Sequence, residues 1–136
     1  MPDETLLAFD YGVKKIGVAL GNTLTRHARP LTIITAERRD LRFDEIGKLI
    51  AEWHPDRVIV GLPLAADGQD QLATTQARRF ANQIHGRFVV PVALVDERGS
   101  SLEAQARLGT NAPDDAVAAA IILQRYLDAL GQDAII

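Results

Sequence analysis

Three groups of carboxylates stand where a short apolar run ends or a helix begins. Asp10 closes Leu6-Leu7-Ala8-Phe9, Asp96 and Glu97 close Val92-Ala93-Leu94-Val95, and Asp114 and Asp115 follow Pro113 at the head of the last apolar segment. In an α/β sheet, ligand sites form at the carboxyl ends of the strands, so two such strands in one sheet would bring their acids together. Like charges at that range repel and raise each other's pKa unless something positive joins them. A hard divalent cation with oxygen ligands relieves the repulsion, and Asp114 or Asp115 would close the set. The reaction that uses such a set is phosphodiester hydrolysis, in which two metals roughly 3.5–4 Å apart activate a water and stabilise the leaving oxygen. Each group also has a plain structural reading. Asp10-Tyr11-Gly12 has turn composition, Asp114-Asp115 suits a helix cap, and Asp96-Glu97-Arg98 suits a local ion pair. Only the combination points to metal chemistry.

The elements that carry these acids follow from hydropathy. Thr5–Asp10 is a short apolar run and predicts a buried strand. Tyr11–Lys15 supplies a turn and Ile16–Leu20 resumes the apolar pattern, so a hairpin is expected, with Gly17 and Gly21 either weakening its second strand or admitting another backbone. Leu31–Thr35 is β-branched and predicts a third strand. Asp40 is a candidate N-cap for a helix carrying Leu41, Ile46, Leu49, Ile50 and Trp53, which ends at His54-Pro55. Arg57–Gly61 predicts a central strand covered on both faces. Leu72–Ile84 predicts a second helix with Phe80 and Ile84 on one side, and Pro91–Val95 a further strand. Ser100–Leu108 predicts a short helix and Pro113–Leu130 a long one, begun by Pro113 and the two acids. The fold class is therefore α/β, as a mixed five-stranded sheet: three antiparallel leading strands, then parallel crossovers, flanked by helices. No linker or repeat interrupts the 136 residues, so one domain over 1–136 is expected.

Composition removes other classes. The absence of cysteine excludes disulfides, thiolate zinc sites and a cysteine nucleophile. His27, His54 and His85 are isolated from one another in sequence. No GxxxxGK[ST] or GxGxxG is present, so no nucleotide cofactor is expected, and no GxSxG marks a serine hydrolase. The acidic start Met1-Pro2-Asp3-Glu4 is unlike a signal peptide, and no apolar stretch approaches the ~18 residues of a membrane span, so a soluble cytoplasmic protein is expected. Net charge is −3, but the bases gather in short groups such as Lys14-Lys15, Arg38-Arg39 and Arg78-Arg79. Lys14, Lys15, Arg78 and Arg98 are candidates for phosphate contacts that position a strand without reading its sequence. Aromatic residues are only 5% of the chain, too few for base stacking to dominate such binding.

Several segments, in order along nearly the whole chain, resemble the YqgF-type family of pre-16S rRNA nucleases and Holliday-junction resolvases. They are Phe9-Asp10-Tyr11-Gly12, Lys15–Ala19, Val60–Leu64 with Asp67-Gly68, Arg79-Phe80-Ala81, Val95-Asp96-Glu97-Arg98, and Asp115 followed by Ala118-Ala119, Ile122-Leu123 and Tyr126-Leu127. The resemblance implies a ribonuclease-H-like fold and a Mg²⁺ or Mn²⁺ site on Asp10, Glu97 and Asp115. Asp96 and Asp114 are neighbours that could exchange roles with them. It further implies a nuclease acting on structured RNA or branched DNA, with ribosomal precursor particles as possible partners. An inactive RNA- or ribosome-binding module of the same fold is the alternative. Asp-x-Gly after a first strand also occurs in actin-like ATPases and sugar kinases, whose two domains need far more chain than 136 residues. Two departures from the family pattern stand beside the site. Gly99-Ser100-Ser101 replaces the usual bulky residue and hydroxyl after the acidic motif, and Leu102–Pro113 is shorter than usual.

Overall fold

The computed structural model describes residues 3–65, 67–96 and 115–133. Its five strands are β1 (Thr5–Asp10), β2 (Ile16–Asn22), β3 (His27–Ile34), β4 (Arg57–Leu62) and β5 (Val92–Asp96), ordered β3-β2-β1-β4-β5 in one sheet. β1 and β2 pair antiparallel, as do β2 and β3, while β4 runs parallel to both β1 and β5. That is the expected mixed sheet of a leading meander followed by parallel crossovers. Helices α1 (Arg39–Trp53), α2 (Leu72–Phe88) and α3 (Asp115–Asp133) complete the described elements. The short helix expected over Ser100–Leu108 lies outside the described residues.

Strand alternation divides the core in two. Leu7, Phe9, Val58 and Val60 face α1 and α2, where they pack with Phe43, Ile46, Phe80 and Ile84. Leu6, Ala8 and Ile59 point the other way and meet Ala119, Ile122, Leu123 and Leu127 of α3. β1 is covered on both sides, and its four apolar residues are fully buried. Burying each large side chain contributes about 1.5–3 kcal/mol, so β1 is the strand least free to shift. Asp10 inherits that fixed position.

The boundaries depart from expectation in instructive places. β3 begins at His27, not Leu31, because its register with β2 continues through Arg29 opposite Leu20 and His27 opposite Asn22. Backbone pairing holds this half of the strand while its side chains stay largely exposed. Pro30 is tolerated because β3 is an edge strand, with an irregularity in the register at Val18/Ala19. Asp40 is not the N-cap of α1. Arg38 occupies that position, and Asp40 sits in the first turn, paired with Arg38 at 2.8 Å. Leu41 is exposed, whereas Arg42, Phe43 and Ile46 are buried. α2 runs one turn beyond Ile84, to Phe88. Its start is held by Thr74, whose hydroxyl accepts from the Gln71 amide at 3.0 Å and donates to the Pro63 carbonyl. At the far end of the sheet the Arg57 guanidinium hydrogen-bonds Glu4 at 3.3 Å, which raises its pKa further above the physiological range.

Candidate active site

Asp10 ends β1 with the parity of Leu6 and Ala8, so its side chain belongs to the α3 face. Across the β1–β2 ladder its partner is Gly17. A Cβ at Gly17 would collide with the backbone carbonyl of Asp115, the first described residue of α3. The α3 N-terminus therefore rests on the sheet beside the end of β1, and only a glycine leaves room for it. Asp10 and Asp115 are both half-buried. Of the two sequence readings of Gly17, close backbone approach is the one the fold uses.

α3 reaches this position because its sheet-facing side is built from small residues. Ala116, Ala119 and Ala120 are buried, and the larger Ile122, Leu123 and Leu127 follow along the same helix. Two polar side chains fix its rotation. The Gln124 Oε1 accepts from the Ala28 amide at 3.0 Å, and its Nε2 donates to the Arg26 carbonyl at 2.9 Å, tying α3 to the β2–β3 hairpin. Arg125 Nη1 donates to the Asp96 carbonyl at 3.0 Å, tying the same helix to the end of β5. Sequence reasoning passed over both residues. Their signal is a Gln-Arg pair interrupting the apolar run Ala116–Leu123.

The turn after Asp10 is equally constrained. A Cβ at Gly12 would lie 2.5 Å from the Lys15 carbonyl oxygen, so the chain can double back here only with glycine. Lys14 and Lys15 are exposed on that turn, next to Asp10 in the chain. Arg78 is exposed on α2 and forms an ion pair with Asp70 at 3.3 Å. Asp96 has the parity of Val92, which packs on the α1/α2 core, so it lies on the opposite face from Asp10. Glu97, Arg98 and Asp114 lie outside the described residues. Among the described residues no group of three or more His, Cys, Asp or Glu side chains could hold a metal ion. The Asp10 and Asp115 carboxylates are hard oxygen donors of the kind divalent cations require.

This fold, a mixed sheet with helices on both faces and an acid ending its first strand, is of the ribonuclease-H-like class, shared with structurally known resolvases. The Thermus thermophilus RuvC–Holliday junction complex aligns with a TM-score of 0.57 at 20% identity, over 93% of this chain and 95% of that one. The Fowlpox virus resolvase–Holliday junction complex gives a TM-score of 0.60 at 12% identity, over 93% and 98%. Residues 4–129 match the family model described as RuvX: Holliday junction resolvase. The chain belongs to that family, the YqgF-like one its motifs resemble, and is accordingly an enzyme of the nuclease class. A Bordetella avium protein is 72% identical over 96% of this chain and 99% of its own length, and one from Bordetella parapertussis is 69% identical over 97% and 99%. Each bears the name "Putative pre-16S rRNA nuclease". Among the described residues no helix is long and apolar enough to cross a membrane.

Proposed function

We propose that this protein is a metal-dependent endonuclease that hydrolyses phosphodiester bonds in structured nucleic acid, with the 5′ end of pre-16S rRNA as its substrate. Residues 1–136 act as one domain, in the cytoplasm, on ribosomal precursor particles. The observation that carries the reading is the seating of Asp115 on Gly17, directly across the ladder from Asp10. The backbone of one acid thus lies against the ladder partner of the other, at the carboxyl edge of the sheet where a site is expected in this fold class. The names of relatives at 69% and 72% identity favour the rRNA substrate over a branched DNA junction.

Asp10, Glu97 and Asp115 are proposed to hold Mg²⁺ or Mn²⁺. Asp96 turns to the other face, which leaves the acid beside it in the sequence as the ligand from the end of β5. When bound, the ions supply activation of the attacking water and charge stabilisation at the leaving oxygen. The chain's own part is to fix the carboxylates. β1 holds Asp10 between two cores, Gly17 admits Asp115, and Gln124 and Arg125 set the rotation of α3. Lys14 and Lys15, on the turn after Asp10, contact substrate phosphates, as do Arg78 and Arg98.

The test is a cleavage assay on a pre-16S rRNA fragment and on a four-way DNA junction, with Mg²⁺ and with chelator. The reading predicts metal-dependent cleavage of the RNA that is lost in Asp10→Asn. Binding without cleavage of either substrate, under any divalent metal, would replace it with an inactive RNA-binding module.

A further inference from the structure

We propose that a basic pocket on the α1/α2 face, reached from the turn that follows Asp10, seats a backbone phosphate of the bound nucleic-acid strand. The proposal rests on the nuclease reading for its ligand but not for its geometry. The pocket holds about 250 Å³, and Tyr11, Arg39, Arg42, Phe43, Arg79 and Phe80 are among its walls.

Arg42 is the unusual member. It is only 6% exposed. Its Nε donates to the Ala36 carbonyl at 2.6 Å and its Nη2 to the Val13 carbonyl at 2.5 Å, while its guanidinium carbon lies 5.6 Å from the centre of the Tyr11 ring. Among the described residues no carboxylate forms an ion pair with it. A buried charge compensated, among the described residues, by dipoles and a ring face leaves a positive potential directed at the pocket, little screened at that depth.

The rim strengthens that potential. Arg39 and Arg79 are exposed, and neither forms an ion pair among the described residues. Their sequence neighbours differ: Arg38 is paired with Asp40 at 2.8 Å and Arg78 with Asp70 at 3.3 Å. In each Arg-Arg pair one guanidinium is hydrogen-bonded to an acid and the other lines the pocket. Among the described lining residues Glu37 is the one carboxylate, set against three guanidinium groups. The walls are rigid as well. Phe80 lies 4.7 Å from Tyr11, 5.9 Å from Phe9 and 6.1 Å from Phe43, centre to centre, so the pocket floor is continuous with the core. Planar N–H forks on a fixed floor suit the oxygens of a phosphate better than a diffuse surface charge would.

Position selects the strand over a free ion. Asp10 faces α3, whereas the next residue, Tyr11, packs on Phe80 across the sheet. A strand crossing the sheet edge with one bond at Asp10 would place a neighbouring phosphate over Tyr11, at the pocket mouth.

The experiment measures binding of a labelled single-stranded RNA oligonucleotide in EDTA, across a salt titration, by wild type and by Arg39→Ala, Arg79→Ala and Arg38→Ala. All three positions are exposed, so folding is retained and is checked by melting curves. Arg39→Ala and Arg79→Ala should each weaken binding about 3–10-fold and flatten the salt dependence by about 0.7 per lost contact. Arg38→Ala, which removes the same charge from an ion pair, should change little. A 5′-mononucleotide and inorganic phosphate are titrated in parallel. Equal binding by wild type, Arg39→Ala and Arg79→Ala, or an equal loss in Arg38→Ala, overturns the proposal. So does Arg79-dependent binding of the mononucleotide with oligonucleotide binding unchanged. Cleavage with Mg²⁺ is scored separately. Asp10-dependent cleavage beside unchanged binding in the arginine variants sinks the pocket alone, while arginine-dependent binding by a wild type that never cleaves supports the pocket and sinks the nuclease reading.

Discussion

The carbonyl of Asp115 lies against the α-carbon of Gly17, with no space between them for a methyl group. Because Gly17 is the ladder partner of Asp10, this contact sets how far the head of α3 stands from the end of β1. It is a backbone-to-backbone contact and does not depend on any rotamer. The separation of the two acids is thus a property of the chain's packing, with side-chain choice entering only through the absence of one at position 17.

Gly17→Ala should therefore push α3 outward. Overpacking of this kind costs about 1–3 kcal/mol, read as a lowered melting temperature. Cleavage should fall far more than substrate binding, since the phosphate contacts proposed for Arg39 and Arg79 lie on the opposite face of the sheet. Wild-type melting and wild-type cleavage together in Gly17→Ala would show that the Asp115 contact positions nothing.

Gln124→Ala tests the rotation of α3. It leaves the Ala28 amide and the Arg26 carbonyl without their bonds to the helix. A partly buried amide losing its acceptor costs about 1–3 kcal/mol. Hydrogen exchange at the Ala28 amide should quicken, and the melting temperature should fall. Unchanged protection at Ala28 would mean the hairpin is held to α3 by apolar contacts alone.

What the sequence disclosed, and what it hid, follows from which forces have a local signature. β1 and Asp10 were legible because burial on both faces demands an unbroken apolar run. The meander and the crossovers followed from the order of elements. The first half of β3 was not legible, since backbone pairing with β2 holds exposed residues such as Arg29 in a strand. Leu41, expected on the apolar side of α1, is exposed while Arg42 is buried, because Arg42 satisfies two backbone carbonyls and no hydropathy pattern registers those partners. The approach of Asp115 to Gly17 was legible only as one of two meanings of a strand glycine. The pocket was not legible at all, because it joins α1, α2 and the β1 turn through tertiary contact.

Metal removal gives a separate test. An ion that binds only the folded protein raises stability by about 2.7 kcal/mol when present at 100 times its dissociation constant. Mg²⁺ or Mn²⁺ should raise the melting temperature of wild type at neutral pH, and chelator should return it. Asp10→Asn should lose most of that response. A response of full size in Asp10→Asn would place the ligands away from the end of β1.

Catalysis and binding can finally be separated by charge. Asp10→Asn replaces an anionic ligand with a neutral amide, so nearly all cleavage should disappear. Binding in chelator should hold or strengthen slightly, because a negative charge near the phosphates has gone. Lys15 stands exposed on the turn after Asp10 and is proposed to meet phosphate alone. Lys15→Ala should weaken binding on every sequence alike and flatten the dependence on salt by about 0.7–0.9, the share of one phosphate contact. At saturating substrate it should still cleave at a rate close to wild type. The two variants thus exchange signatures, one losing rate with affinity kept and the other losing affinity with rate kept. An Asp10→Asn protein free of contaminating nuclease that cleaves at the wild-type rate would remove this acid from the chemistry, and equal loss of rate in Lys15→Ala would place the turn inside the catalytic site.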